Sequence, residues 1–460
     1  MLLEILSRLQ FGFTISFHIL FPAFSIGLIA FIAVMEAAYL KTGHDKYLQI
    51  CKFYTKILAL TFGMGIVSGI VMEFQLGTNW ANFTKQVGSV LGALFTYEVL
   101  TAFFIEAGFL GVMFFGWNKV KPGLHFAATL LALIGVTLSA FWIMAANSWM
   151  QTPAGAVIKD HHFVVSNWLD VIFNPSFLPR FFHMLLATYI SSFLVIAAIS
   201  AYYLLNRKHI HFAKVCLSFI MHALLILIPL QIVMGDRVGV VVHEYQPLKT
   251  AAIEANWQTQ NGAPLVLFAW PNEKTESNDF AITIPKLASL INTHALNGKL
   301  IGLTNVAASE RPPVPVVFFS FRIMVGLGFL MLFLSLAGAY LRWRKKLYDT
   351  DWFLKLCILC APIGFISIIT GWFTAEFGRQ PWVVYNLIKT SAAHSPIQLY
   401  QVVISLLSIV VVYGIVFGYF YFKYFFKTIA GGPNVANAQP SDQPYFYMSP
   451  ATSTKKEDKS

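Results

Sequence analysis

Charge is scarce in this chain: Asp, Glu, Lys and Arg make up 12% of its 460 residues, against 57% hydrophobic. So little polar material excludes a soluble domain of this length, and a mean hydropathy of +0.65 places the chain in a membrane. Cysteine is almost lacking. The four present, Cys51, Cys216, Cys357 and Cys360, lie in apolar sequence, which excludes a disulfide framework. Cys357 and Cys360 have metal-like spacing, but Ala361 and not His follows them, so the c-type haem attachment pattern is excluded and helix packing is expected. No small-residue cleavage site follows the first apolar run, so the N-terminus with Glu4, Arg8 and Gln10 is expected to be retained. An internal repeat is also missing, which disfavours an alternating-access transporter.

What is present is a series of apolar runs near the ~20 residues that cross a bilayer. Nine are expected, roughly 13–40, 55–73, 91–117, 124–146, 183–205, 214–235, 316–341, 353–372 and 398–422. The fold class is therefore an all-α integral membrane bundle of nine helices. The net charge of +11 does not point to nucleic acid, because the basic residues sit in short clusters between apolar runs. One set of alternate loops holds fourteen of them, including Lys41, Lys119, Arg207 and Arg344, and the opposite set only five: Lys85, Lys159, Arg180, Arg379 and Lys389. The positive-inside rule then puts the N-terminus outside and the C-terminus inside. Residues 1–430 form one membrane domain with a long external loop over 236–315, rich enough in Trp, Pro and aliphatics to fold in part. The polar tail 431–460 is expected to be disordered and cytoplasmic.

Ionisable residues in or beside these runs are costly and need partners. Glu376 and Arg379 stand together in the stretch 371–382, with Trp372 and Trp382 around them. On the expected topology His18, His183, Arg322, Met324, Glu98, Glu376 and Arg379 all fall toward the outer side. His and Met are axial ligands of haem iron in electron-transfer sites, and a carboxylate can serve an iron that keeps a position open. His222 belongs to no motif and is expected to be a satisfied core histidine. Glu98 and Glu106 lie eight positions apart, about 12 Å in depth at 1.5 Å per residue. On an ideal helical wheel they diverge by about 80° and line one broad face. Two such carboxylates at successive depths have the composition of a proton relay.

Particular motifs carry a resemblance. Ser7–Phe11, Met72-Glu73-Phe74-Gln75, Gly77-Thr78-Asn79-Trp80, Ala145–Gln151, Lys249–Ala255, Phe321-Arg322-Ile323-Met324 and Gly371–Trp382 together resemble subunit I of the cytochrome bd-type quinol oxidases. The Glu-x-Gly-Arg-Gln-Pro-Trp and Lys-Thr-Ala-Ala-Ile-Glu elements are the specific ones. The resemblance implies three haems. His183 and Met324 resemble the axial pair of a low-spin haem b, while His18 and Glu376 resemble ligands of two high-spin haems, with Glu98 nearby. Which of those two haems each residue serves stays open. Arg379, Arg322 and Trp372 are implied around the cofactors, Lys249 and Glu254 in quinol contact, and Glu98, Glu106 and Ser139 in the proton path.

The segment between Lys286 and Arg311 is short, so the chain resembles the short-loop branch. Members of that branch, which includes cyanide-insensitive forms, can carry haem b in place of haem d. The implied activity is quinol oxidation outside and dioxygen reduction to water with protons from inside, building proton motive force without pumping. The implied location is a bacterial inner membrane. A second membrane subunit, a small single-span subunit, quinol and dioxygen are the implied partners. A cation-coupled transporter would be colourless, and a haem protein serving another electron acceptor would consume no oxygen.

Overall fold

The computed structural model describes residues 2–160 and 162–433. Among these, nine helical spans are long and apolar enough to cross a membrane. They are span 1 (Leu2–Thr42), span 2 (Asp45–Thr78), span 3 (Ala81–Phe115), span 4 (Pro122–Gln151) and span 5 (Phe177–Leu205). Span 6 (Ile210–Tyr245), span 7 (Ala308–Trp343), span 8 (Asp351–Phe377) and span 9 (Leu399–Gly431) complete the set. The number agrees with the apolar runs, and most spans outrun them. Hydropathy marks only the stretch that must sit in hydrocarbon, whereas a helix continues for as long as its ends find partners. At the start of span 1, Gln75 Nε2 donates to Thr14 Oγ1 at 2.7 Å, Asn79 Nδ2 to Gln10 Oε1 at 3.3 Å and Ser405 Oγ to Gln10 Oε1 at 3.0 Å. These bonds tie spans 1, 2 and 9 together around the start of the first apolar run. The expected tail boundary at 431 falls at the end of span 9, and the expected disorder of the tail concerns residues 434–460, which lie outside the described residues.

Span 5 occupies the centre, packed against spans 1, 4, 6 and 8, with 72% of its membrane window buried, whereas span 9 buries only 11%. Small residues make that position possible. Gly364 of span 8 lies so close to Ser191 that an added Cβ would stand 2.5 Å from the hydroxyl oxygen. Ser192 Oγ donates across to Phe24 O of span 1 at 3.0 Å. All four cysteines are buried and unpaired, as packing residues should be.

The long connection begins later than the sequence suggests, because span 6 stays helical through Asp236 to Tyr245. It then folds, with a helix at Pro247–Glu254, an antiparallel hairpin of Leu265–Asn272 with Ser277–Ile284, and a helix at Leu287–Thr293. Ala251, Ala252, Trp257, Val266 and Leu303 pack on Val317 and Phe318, which seats this loop on the start of span 7. A second hairpin, Ala156–Lys159 with His162–Val165, covers the same end of the bundle through Phe163, which packs on Trp149. That end is called the loop end below, and the opposite one the far end.

Candidate functional site

The ends of spans 4, 5 and 8 and the loop helix Pro247–Glu254 meet at the loop end around Glu376. One of its oxygens accepts from Asn147 Nδ2 at 3.0 Å and from Gln151 Nε2 at 3.1 Å, both on the last turns of span 4. The other oxygen pairs with Arg379 Nη2 at 2.5 Å, the i,i+3 neighbour on the same chain end. Arg180, at the start of span 5, donates to Ser148 Oγ at 2.8 Å and to Asn147 Oδ1. Lys249 Nζ donates to Gln151 Oε1 and to Gln246 Oε1, each at 2.6 Å. Gly378 makes room for this lysine, since an added Cβ would lie 2.6 Å from Lys249 Cγ. Burial and the nearby Arg180 and Arg379 charges hold the Lys249 ammonium well below the usual lysine range.

Two guanidinium cations and the Lys249 side chain thus surround one carboxylate. Arg379 is 5% exposed, yet its Nε and Nη1 donate to no protein acceptor. A buried guanidinium normally uses its fork in full, and leaving part of it unpaired costs several kcal/mol. The arrangement can therefore take an anionic group on the unpaired N–H donors of Arg379.

The other candidate ligands stand singly on different spans. The His183 ring lies against Gly235 of span 6, where a Cβ would come within 3.3 Å of Cε1, and its Nδ1 is buried without a partner. Its Nε2 lies 3.3 Å from Gln231 Nε2. Met324 points to span 8, where a Cβ on Gly371 would lie 2.8 Å from its sulfur. The next residue, Trp372, is half-buried and packs on Phe373. His18 bonds through Nδ1 with Ser68 Oγ at 3.0 Å and lies over Gly69. It sits deeper than the apolar run implies, because span 1 starts at Leu2 and His18 faces span 2 about 15 Å before Thr78 at 1.5 Å per residue. Among the described residues no three His, Cys, Asp or Glu side chains gather as a metal-ion site. Isolated ligands over small residues suit a planar cofactor between helices better than a bare ion.

Arg322 and Glu254 meet above span 7, with Nη2 3.1 Å from Oε2. The other Glu254 oxygen accepts from Asn292 Nδ2 at 3.2 Å. Arg322 gives its remaining bonds to the loop carbonyls of Val266 and Ile253. Lys249 and Glu254, 3% exposed each, lie in separate networks, one around Gln151 and one around Arg322.

Glu98 and Glu106 both face span 4. Ser139 Oγ donates to Glu98 Oε1 at 2.6 Å, and one turn away Gly135 lies against the Glu106 backbone, with an added Cβ 2.9 Å from its nitrogen. The 80° divergence of an ideal helix is reduced, because residues Val99–Phe103 form a π-helix between the two glutamates. A π-turn rotates less per residue than an α-turn and swings Glu106 back toward the face of Glu98.

Several polar residues escaped the sequence reading. Asn147, Gln151, Gln246 and Arg180 looked like ordinary polar residues near helix ends. At the far end, Glu36 accepts from Thr129 Oγ1 at 2.7 Å and pairs with His125 Nδ1 at 2.6 Å. His125 Nε2 lies 3.2 Å from Met113 O, and the Trp117 ring lies tilted against the imidazole at 3.8 Å between centroids. Glu36 lies inside the first apolar run, which was the available signal. His222, expected in the core, is exposed on this chain and bonds only Ser218 O at 2.9 Å, because its face of span 6 turns outward.

Comparison with known proteins agrees with this geometry. The model of the family described as cytochrome bd terminal oxidase subunit I matches residues 6–433. The chain is 33% identical to the cytochrome bd-II ubiquinol oxidase subunit 1 of Escherichia coli K12, over 89% of this chain and 93% of that one. It is 34% identical to the cytochrome bd ubiquinol oxidase subunit 1 of Bacillus subtilis 168, over 85% and 86%. A solved bd oxidase from Geobacillus thermodenitrificans superposes with a TM-score of 0.86 at 27% identity, over 94% of this chain and 99% of that one. The chain belongs to the cytochrome bd terminal oxidase subunit I family.

Proposed function

We propose that this chain is the haem-bearing subunit of a quinol:oxygen oxidoreductase, with residues 1–430 as its cofactor-binding unit. The observation that carries the proposal is the open loop-end cluster: two guanidiniums and a lysine around one carboxylate, with unpaired Arg379 N–H groups, beside a histidine with an unpaired nitrogen. These residues fit haem, whose propionates are the paired carboxylates the cluster is missing. His183 and Met324 would hold a low-spin haem b from spans 5 and 7. His18 and Glu376 would hold two high-spin haems, one of them haem d or a further haem b, with Glu98 close by. When bound, the haems supply electron transfer and dioxygen reduction.

The chain's own residues do the rest. Arg379 and Arg180 neutralise cofactor carboxylates. Lys249 and Glu254, both buried, bind quinol. Glu98, Ser139 and Glu106 pass protons along span 4, with the π-turn aligning the two carboxyl groups. The basic far-end loops support, by the positive-inside rule, a loop end outside and a C-terminus in the cytoplasm of a bacterial inner membrane. Protons from quinol then leave outside and those for water come from inside, separating charge without a pump. A second subunit, and a small single-span one, complete the oxidase.

The test is a pyridine haemochrome spectrum of the purified oxidase together with quinol-driven oxygen uptake. Haem bands with quinol-dependent uptake are expected. Colourless protein, or haem bands without oxygen uptake, would refute the reading.

A further inference from the structure

The hairpin of Leu265–Asn272 with Ser277–Ile284 lies lengthwise against the start of span 7, and three contacts fix its place there. At its turn, Glu273 Oε1 accepts from Val314 N at 2.8 Å, where the continuous helix of span 7 begins. Midway, the Phe319 ring meets Trp270 and Phe268, with centroids 5.4 and 6.5 Å away. At its open end, Val266 O accepts from Arg322 Nη2 at 2.6 Å. The hairpin therefore runs beside the helix from Val314 to Arg322, about 12 Å at 1.5 Å per residue. On the same rise, Arg322 stands about 30 Å from Arg342 near the far end of span 7, which is the thickness of the hydrocarbon layer. Arg322 thus marks the edge of that layer, and the hairpin lies in the headgroup zone next to it.

What the hairpin presents to its surroundings is apolar. Phe280 is 86% exposed, Trp270 61%, Ile282 60% and Phe268 50%. Phe268 pairs with Ile282 across the ladder, and neither 265–271 nor 280–285 contains a charged residue. Charge gathers instead at the turn, in Glu273, Lys274, Glu276 and Asp279, where Arg311 Nη1 holds Glu276 Oε1 at 2.7 Å. The apolar patch continues onto span 7, because Phe319 shares a face with Val316 and Ile323, both exposed. Phe280 also has a φ of +54°, a conformation that bulky side chains rarely adopt. The chain gives this strained, exposed ring little to pack on, whereas an apolar layer outside the chain would. The strand Ser277–Ile284 pairs along one edge only, so its outer backbone groups need water. Water is present among headgroups and absent from hydrocarbon, which sets how deep the hairpin can sit.

We propose that this hairpin is a lipid-docking element. Phe280, Ile282, Trp270 and Phe268 insert among the headgroups and upper acyl chains beside span 7, while the charged turn stays in water. The occupant of the patch is the bilayer and not another protein, because the patch extends an exposed stripe of a membrane-crossing helix at the depth where aromatic side chains settle. The loop that carries the helix Pro247–Glu254 is thereby held by the membrane as well as by span 7.

The experiment uses the complete oxidase in phosphatidylcholine vesicles, without quinol, with a nitroxide attached to Phe280→Cys, to Ile282→Cys or, as the aqueous reference, to Lys274→Cys. The four native cysteines are buried and leave the introduced one to react. The readouts are collision of each nitroxide with dissolved oxygen, which concentrates in lipid, and with a water-soluble nickel chelate. An unaltered reduced-minus-oxidised spectrum certifies assembly. The ratio of oxygen to nickel collisions is expected to be several times higher at positions 280 and 282 than at 274. Equal ratios at all three would overturn the proposal, and so would shielding of 280 and 282 from both reagents, which marks a protein on the patch. Should these variants fail to assemble, the unaltered oxidase is photolabelled with phosphatidylcholine carrying a diazirine near its headgroup. Adducts within 265–284 support the docking, and adducts on the spans with none in 265–284 refute it.

Discussion

At the far end of the bundle, Glu36, His125 and Thr129 use every polar atom they bury: both carboxylate oxygens, both ring nitrogens and the hydroxyl have partners. At the loop end, Glu376 is equally well bonded, but the cations around it outnumber it and part of Arg379 faces no acceptor. Both clusters are buried and both tie helices together. The closed one joins spans 1, 3 and 4 and has nothing left to offer a ligand. The open one costs free energy as it stands and gains it back when an anion arrives. Burial of charge alone does not mark function here; an unfinished network does.

Breaking the open cluster should have the largest effect. Glu376→Leu leaves Arg180, Lys249 and Arg379 without their carboxylate, a loss of about 3–5 kcal/mol for a buried pair and of the cofactor contact besides. The expected outcome is quinol-driven oxygen uptake at background with an altered haem spectrum; a normal spectrum would mean the cluster is as structural as the far-end one. His125→Leu should cost a similar ~3–5 kcal/mol by stranding Glu36, but with the haem spectrum intact. Adding Glu36→Leu should recover most of that loss, since replacing both partners of a buried pair by apolar groups is often near neutral. Thermal unfolding of the single and double variants checks it, and a double variant no more stable than the single would contradict the closed-latch account. Glu98→Gln should slow oxygen uptake by roughly 10²-fold, the lower range for removal of a proton-transfer group. Unchanged turnover would remove Glu98 from the proton path. Smallest of these, Glu254→Ala should lower quinol turnover about tenfold through loss of hydrogen bonds to a charged group, with the haem content preserved. Steady-state kinetics at saturating oxygen decide it.

The open cluster was half legible in the sequence. Glu376 and Arg379 stood out because charges at the edge of an apolar run are rare and local. Asn147, Gln151, Gln246 and Arg180 did not, since neutral amides and a flanking arginine look the same whether they cap a helix or complete a site. Glu36 met the same criterion as Glu376, but its partner is 89 residues away and only the packing of span 4 on span 1 brings them together. Span number followed from hydropathy alone, whereas span ends did not, because the polar contacts of Gln10, Thr14 and Gln75 prolong helices that lipid no longer requires. The shared face of Glu98 and Glu106 was legible, but their closer alignment was not, because an ideal wheel has no place for the π-turn at Val99–Phe103.

The central claim is that the loop end is unfinished because it is built around haem. The most direct measurement is the dithionite-reduced minus air-oxidised spectrum of the purified Met324→Leu oxidase beside the unaltered one. Loss of the low-spin haem signal in a folded, assembled protein is the predicted result. A low-spin signal identical in both would show that Met324 is packing, and the axial assignment at the heart of this account would be wrong.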